Sequence, residues 1–209
     1  MSPLPSKPVI GTILFPGFEL LDTFGPLELF LILPELFDCV MLAEDRGAVT
    51  SSQGPVSLAE ASIRERDQVD ILLAPGGKGT RTEVDHPELI AGIERLANRA
   101  TYVCTVCTGA ALLARTGLLD HQRATTNKAA WKWATAQGPH VDWVAEARWV
   151  EDGKFFTSSG VSAGMDMALA LIQKIYGEET CRSVAEKAEY VWNHDSTCDP
   201  FARIHGLVE

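Results

Sequence analysis

The segment Thr101-Tyr-Val-Cys-Thr-Val-Cys107-Thr-Gly-Ala-Ala-Leu-Leu-Ala constrains the fold of this chain more than any other stretch. An apolar strand runs up to a cysteine, and a helix of small residues starts with no linker between them. A chain that passes directly from strand to helix leaves the turn residue proud of the sheet, facing the unpaired N–H groups of the helix's first turn. The helix dipole lowers a thiol's pKa there and stabilises the anion that reacts. Cys107 is therefore predicted to be a nucleophile on an elbow. The alternative is a small buried core cysteine, since free cysteine is among the most buried residue types.

The rest of the chain supplies a sheet for that elbow. Val9–Phe15, bounded by Pro8 and Pro16, and Val69–Ala74 read as buried strands, with Thr101–Thr105 the next central one. Cys39–Ala43 is a further strand, and Val49 to Val69 mixes short extended pieces around Gly54-Pro55. Leu20 to Leu33 has helical spacing and ends before Pro34, Pro87–Ala100 is an amphipathic helix, and Gly117 closes the elbow helix after Arg115. Ala124–Thr126 suggests a short strand before a Trp131/Trp133 helix, and Asp152-Gly153 is a hairpin signal between Arg148–Val150 and Phe155–Thr157. Ser162 to Tyr176 and Glu178 to Trp192 read as two closing helices, followed by a polar tail. This alternation predicts an α/β fold, a three-layer sandwich with a mostly parallel central sheet and helices on both faces. No repeat or linker interrupts residues 1–209, so one domain is expected.

Charge and composition exclude several functions. A net charge of −10 argues against nucleic acid and anionic membrane as partners, because phosphate binding needs a basic face. A small neutral substrate remains compatible. Met1 to Lys7 is short and proline-bearing, and Val9–Phe15 is too brief for a signal peptide or a membrane span. The longest apolar stretch, Leu27 to Phe37, is broken by Glu28, Pro34 and Glu35, so a cytoplasmic location is expected. Five cysteines with irregular spacing fit a reducing compartment. Cys104 and Cys107 form a Cys-x-x-Cys, but Cys104 sits inside a strand and no second Cys or His pair completes a metal site. Cys39, Cys181 and Cys198 are read as structural.

Ligands of open α/β sheets bind at the carboxyl ends of the strands. Three features fall there: the turn from Gly17 to Asp22, the Pro75-Gly76-Gly77 turn, and Cys107. The N–H groups of Gly76, Gly77 and Thr108 are predicted to form an oxyanion hole, the alternative being a tight turn without a ligand. Lys78-Gly79-Thr80 lacks phosphate-loop spacing and no Gly-x-Gly-x-x-Gly follows the first strand, so no nucleotide cofactor is expected. Asp22 caps a helix in the simpler reading. Buried beside a thiolate, it would instead have a raised pKa and hold or deliver a proton. The five histidines all fall in turns or the tail.

Five ordered motifs resemble the ThiJ/PfpI superfamily, whose fold is that of class I glutamine amidotransferases. They are Phe15-Pro-Gly-Phe-Glu-Leu-Leu-Asp22-Thr-Phe-Gly-Pro26, Ala74-Pro-Gly-Gly77, Val106-Cys107-Thr-Gly-Ala, Arg123-Ala-Thr-Thr-Asn127 and Thr157-Ser-Ser-Gly-Val-Ser-Ala-Gly-Met-Asp166. The Leu-Asp-x-x-Gly-Pro pattern is similar to the isonitrile hydratase branch. That resemblance implies a cofactor-free homodimer using Asp22 as acid, Cys107 as nucleophile and Thr108 as its neighbour, with Cys107 readily oxidised to a sulfinic acid. Many relatives carry histidine where this chain has Asn127. Asparagine cannot act as a base, so a Cys–His dyad of the hydrolase kind, and with it protease or amidase activity, is disfavoured. Glyoxalase- or deglycase-like action on α-oxoaldehydes and a non-enzymatic redox sensor are the alternatives. Relatives that sense for transcription carry a helix-turn-helix domain, which these 209 residues lack, so DNA binding is not expected.

Overall fold

The computed structural model describes residues 4–209, so the first three residues of the Met1–Lys7 segment lie outside the described residues. β1 (Val9–Ile13) leads into α1 (Leu20–Leu31), and β2 (Asp38–Ala43) returns beside β1 in parallel. The mixed stretch that follows resolves into an antiparallel hairpin, β3 (Gly47–Thr50) with β4 (Val56–Ala59), and a short β5 (Ala61–Ser62). Next come β6 (Ile71–Ala74), α2 (Thr80–Glu83), α3 (Pro87–Arg99), β7 (Tyr102–Val106) and α4 (Gly109–Arg115). β8 (Arg123–Ala124), α5 (Trp131–Thr135) and β9 (Asp142–Trp143) form a small flap in which the two strands pair in parallel. The hairpin of β10 (Trp149–Asp152) and β11 (Phe155–Ser158) precedes α6 (Ala163–Tyr176), α7 (Glu178–Lys187) and α8 (Pro200–Ile204).

The main sheet has the order β10-β11-β7-β6-β1-β2-β5, and within it only β10 runs antiparallel to its neighbour. Every residue of β6 and β7 is buried, as a strand covered on both faces requires. One core lies between the sheet and α3 and α4, with Leu89, Ile93, Leu96, Leu112 and Leu113 at its centre. The other lies under α1, α6 and α7, with Phe30, Met167, Leu171 and Val184. The result is the expected three-layer α/β sandwich.

The chain departs from its predicted elements mainly at the C-terminal end. α7 stops at Lys187 rather than reaching Trp192, and Glu189 takes a left-handed φ of 49° that turns the chain away. The buried Asp166 carboxylate explains the turn. Arg148 Nε donates to its Oδ2 at 2.5 Å, while the Tyr190 hydroxyl and the Asn193 N–H donate to Oδ1, each at 3.0 Å. A buried charge is tolerated only with such partners, and the strap supplies them. The polar tail then forms α8, whose first N–H groups are capped by Asp199 with Pro200 just inside the helix.

Candidate active site

The end of β7, the loop after β6 and the first turn of α1 converge on one rim of the sheet. Cys107 follows β7 directly and adopts a left-handed φ of 57°, a costly conformation for a residue with a Cβ, on the order of 1–3 kcal/mol. The surroundings hold it there. Its N–H donates to the carbonyls of Ser158 and Ser159 at 3.2 and 3.0 Å, and the Thr126 hydroxyl donates to its carbonyl at 2.8 Å. The strand-to-helix elbow read from the sequence is therefore present, and Cys107 lines a cavity of about 510 Å³.

Asp22 sits in the first turn of α1 with no exposed surface. It does not cap its own helix. Its Oδ2 instead accepts the Gly76 N–H at 3.0 Å across the rim, while Oδ1 has no nitrogen or oxygen partner and the Cys107 thiol interacts with the carboxyl. Burial pushes this carboxyl up to about 7, far more than the Gly76 N–H draws it down, and the charge of Glu19 adds to the rise. A group in that range exchanges a proton readily near neutrality.

The Cys107 thiol does not follow the helix-dipole expectation. Burial pushes it up to about 12, and the neighbouring Asp22 charge pushes in the same direction. The Thr108 N–H, the Val161 N–H and the Asn127 side chain oppose this only in part. A dipole of partial charges at one helix end cannot offset both the loss of water and a carboxylate at close range.

The oxyanion-hole expectation is corrected at Gly76 and Gly77. The Gly76 N–H is taken by Asp22, and the Gly77 N–H donates to the Thr108 hydroxyl at 3.1 Å. The glycines are needed for proximity instead. A Cβ on Gly76 would lie 2.6 Å from both the Thr108 nitrogen and its hydroxyl oxygen. The donors that reach the sulfur are the N–H of Thr108, as expected, and that of Val161, which the sequence reading passed over. Val161 has a left-handed φ of 45°, an irregularity with no signature in residue type.

Asn127 lines the same cavity as Cys107. Its Oδ1 accepts the Ala130 N–H at 2.9 Å, so the amide NH₂ is the end offered to the sulfur. Glu19, Lys78 and Arg81 also line the cavity, and all three escaped the sequence reading. Arg81 is carried by α2 and lies over the Trp133 ring at 3.9 Å. Among the described residues, no histidine lines this cavity. Cys104 is fully buried and unpaired within β7, and burial drives its thiol upward, so it offers no redox partner. Glu44, His86 and Glu88 bring three ligand-type atoms within 4.8 Å of one another, away from the Cys107 cavity and with Glu44 already paired to Arg64.

Fold and site together define an α/β sandwich with a cysteine elbow at the carboxyl ends of parallel strands. The chain belongs to the DJ-1/PfpI family, which it matches over residues 10–174. It is 34% identical over 181 residues to an isonitrile hydratase of Pseudomonas putida, covering 87% of this chain and 78% of that protein. It is 29% identical over 187 residues to the HTH-type transcriptional regulator GbdR of Pseudomonas aeruginosa, covering 83% of this chain but only 50% of the regulator. Among solved structures, a ThiJ/PfpI family protein from Pseudomonas syringae superposes with a TM-score of 0.80 at 26% identity, covering 88% of this chain and 75% of that one.

Proposed function

We propose that the protein is a cysteine-dependent hydratase that converts an isonitrile to an N-substituted formamide. The observation that carries this reading is the pairing of Cys107 with a buried carboxyl raised to about 7. Similarity to an isonitrile hydratase over most of both chains supports it.

Thiol and carboxyl act as one unit that holds two protons at low pH and one at neutrality. In the one-proton state the carboxylate takes the thiol proton, and the resulting thiolate attacks the terminal isonitrile carbon. Asp22 then gives that proton to the same carbon, leaving a thioimidate, Cys–S–CH=N–R, in which the S–C and C–H bonds are new. Water adds across the C=N bond, the S–C bond breaks, and the formamide leaves while Cys107 regains a proton. The Thr108 and Val161 N–H groups, together with the Asn127 amide, steady the sulfur as its charge changes.

The test is turnover of a panel of aromatic and aliphatic isonitriles, with formamide followed chromatographically, for wild type and Cys107→Ser. Formamide from wild type alone is expected, and silence across the panel would overturn the reading. Aldehyde chemistry is a weaker fit, because no histidine among the described residues stands beside Cys107. Similarity to transcriptional regulators favours a sensor as the second reading. Peroxide-dependent mass gain on Cys107 without turnover would select it.

The working unit in this proposal is a homodimer in the cytoplasm, one 1–209 domain per subunit. Leu21 and Phe24 of α1 are each 41% exposed, and Val56 and Leu58 of the β3–β4 hairpin are 60% and 65% exposed. The tip of that hairpin reaches the start of α1, where the Leu20 N–H donates to Gln53 Oε1 at 3.3 Å. These exposed apolar side chains on neighbouring elements are the surface proposed for that association.

A further inference from the structure

A second cavity of about 240 Å³ adjoins the Cys107 cavity, and the two share Asn127, Ala129 and Val161 in their walls. Phe201 of α8 and His205, which follows that helix, form part of its wall. The remaining walls are mixed: Lys128, Ser159 and Ser162 bring polar groups, and Ala129, Val161 and the Phe201 ring supply the apolar surface. Phe201 is 48% exposed, an unusual placement for a large apolar ring.

α8 is fastened to the site loop, which makes this wall a fixed one. Asp199, its N-cap, is 1% exposed, and its carboxylate lies 3.7 Å from the ammonium of Lys128. Lys128 is itself buried, donates to Thr125 Oγ1 at 2.6 Å and to the Ala147 carbonyl at 2.9 Å, and directly follows Asn127 in the chain. The helix therefore keeps its position relative to Cys107. It also lies beyond residue 174, where the match to the DJ-1/PfpI family ends.

We infer that the two cavities are lobes of one cleft, and that the lobe under Phe201 takes the N-substituent of the substrate, a flat aryl or benzyl group of one ring. The inference rests on the isonitrile reading of Cys107. Size is compatible with it: a cavity of about 150 Å³ suffices for benzene, so a lobe of about 240 Å³ has room for one ring and a methylene. Chemistry supports it. Ala129, Val161 and Phe201 offer apolar and aromatic surface, and a ring stacked on Phe201 would remove one face of each ring from water. A linear alkyl chain of equal area would gain the burial without the ring–ring contact.

The experiment is a selectivity ratio, kcat/KM for benzyl isonitrile over that for methyl isonitrile. It is measured for wild type, Phe201→Ala, Ala129→Trp and the control Val191→Ala, which alters a 91% exposed side chain on the same strap. Phe201→Ala is expected to lower the ratio about tenfold, in line with the discrimination an apolar pocket achieves. Ala129→Trp, which adds bulk where the two lobes share a wall and leaves the α8 sequence intact, is expected to lower it at least as far. Val191→Ala is expected to keep the wild-type ratio. Turnover with the same ratio in both test variants would overturn the subsite and leave the hydratase reading standing. Absence of turnover in wild type would overturn the hydratase reading, and the cleft is then read by alkylation of Cys107. There the rate with N-benzyl iodoacetamide over that with iodoacetamide should fall in both test variants, and an unchanged ratio would overturn the cleft itself.

Discussion

Asp22 and Cys107 each have a raised proton affinity chiefly because burial strips water from the charged form. The charge of Glu19 adds to the rise at Asp22 and the charge of Asp22 adds to the rise at Cys107, while the thiol's hydrogen bond draws the carboxyl down in part. The carboxyl's rise from 3.8 to about 7 has a cost in stability. The folded protein keeps the Asp22 proton up to about pH 7, whereas the unfolded chain gives it up near 3.8. The contribution is therefore fully present below 3.8 and is lost as the pH rises through about 7. At 1.36 kcal/mol per pKa unit, the loss is about 4 kcal/mol. An asparagine in place of Asp22 would retain an acceptor for the Gly76 N–H without carrying a charge. Asp22→Asn is thus expected to melt higher than wild type at about pH 8, with the gain fading toward about pH 4, and to hydrate isonitriles at least about 100-fold more slowly. A variant that melts lower than wild type at about pH 8, or hydrates at the wild-type rate, would remove Asp22 from the account.

Among the elements, those with strong periodicity were legible and those fixed by distant partners were not. β1, β6 and β7 announce themselves as short apolar runs, and α3 as an amphipathic stripe. The elbow was legible because only Cys107 and Thr108 separate the apolar strand from the small-residue helix. α2 was missed because four residues cannot show a period, and Arg81 was missed with it. The end of α7 depends on Asp166, which lies 21 residues before Lys187 in the chain and declares its need for partners only when buried. The roles of Gly76 and Gly77 were misread for a similar reason, since their motif reveals close approach but not which side chain takes the N–H. α8 hangs on one residue. Asp199→Ala removes both its cap and the partner of the buried Lys128, and is expected to destabilise the protein by about 3 kcal/mol in denaturant unfolding. A loss within about 0.5 kcal/mol, the range of ordinary surface substitutions, would show that α8 is held elsewhere.

For the molecule as a whole, the charge of −10 and the apolar surface of α1 and the β3–β4 hairpin act in opposition. Net charge keeps copies apart, while in the proposed homodimer Leu21, Phe24, Val56 and Leu58 would draw one pair of surfaces together. Sedimentation equilibrium is expected to give twice the 22.7 kDa chain mass for wild type, and a lower mass for Leu58→Glu. Equal masses for the two would exclude this surface from any interface. None of the helices among the described residues is long and apolar enough to cross a membrane.

The central claim is that thiol and carboxyl work as a pair sharing one proton, and the pH dependence of kcat/KM for isonitrile hydration tests it most directly. The reactive state exists between the loss of the first proton, at about 7, and of the second, at about 12. The rate is therefore expected to rise with pH through about 7 and to stay level well into the alkaline range. A rise centred instead near 9.0, the ordinary value for a cysteine, and unaltered by Asp22→Asn, would mean that the thiol acts alone.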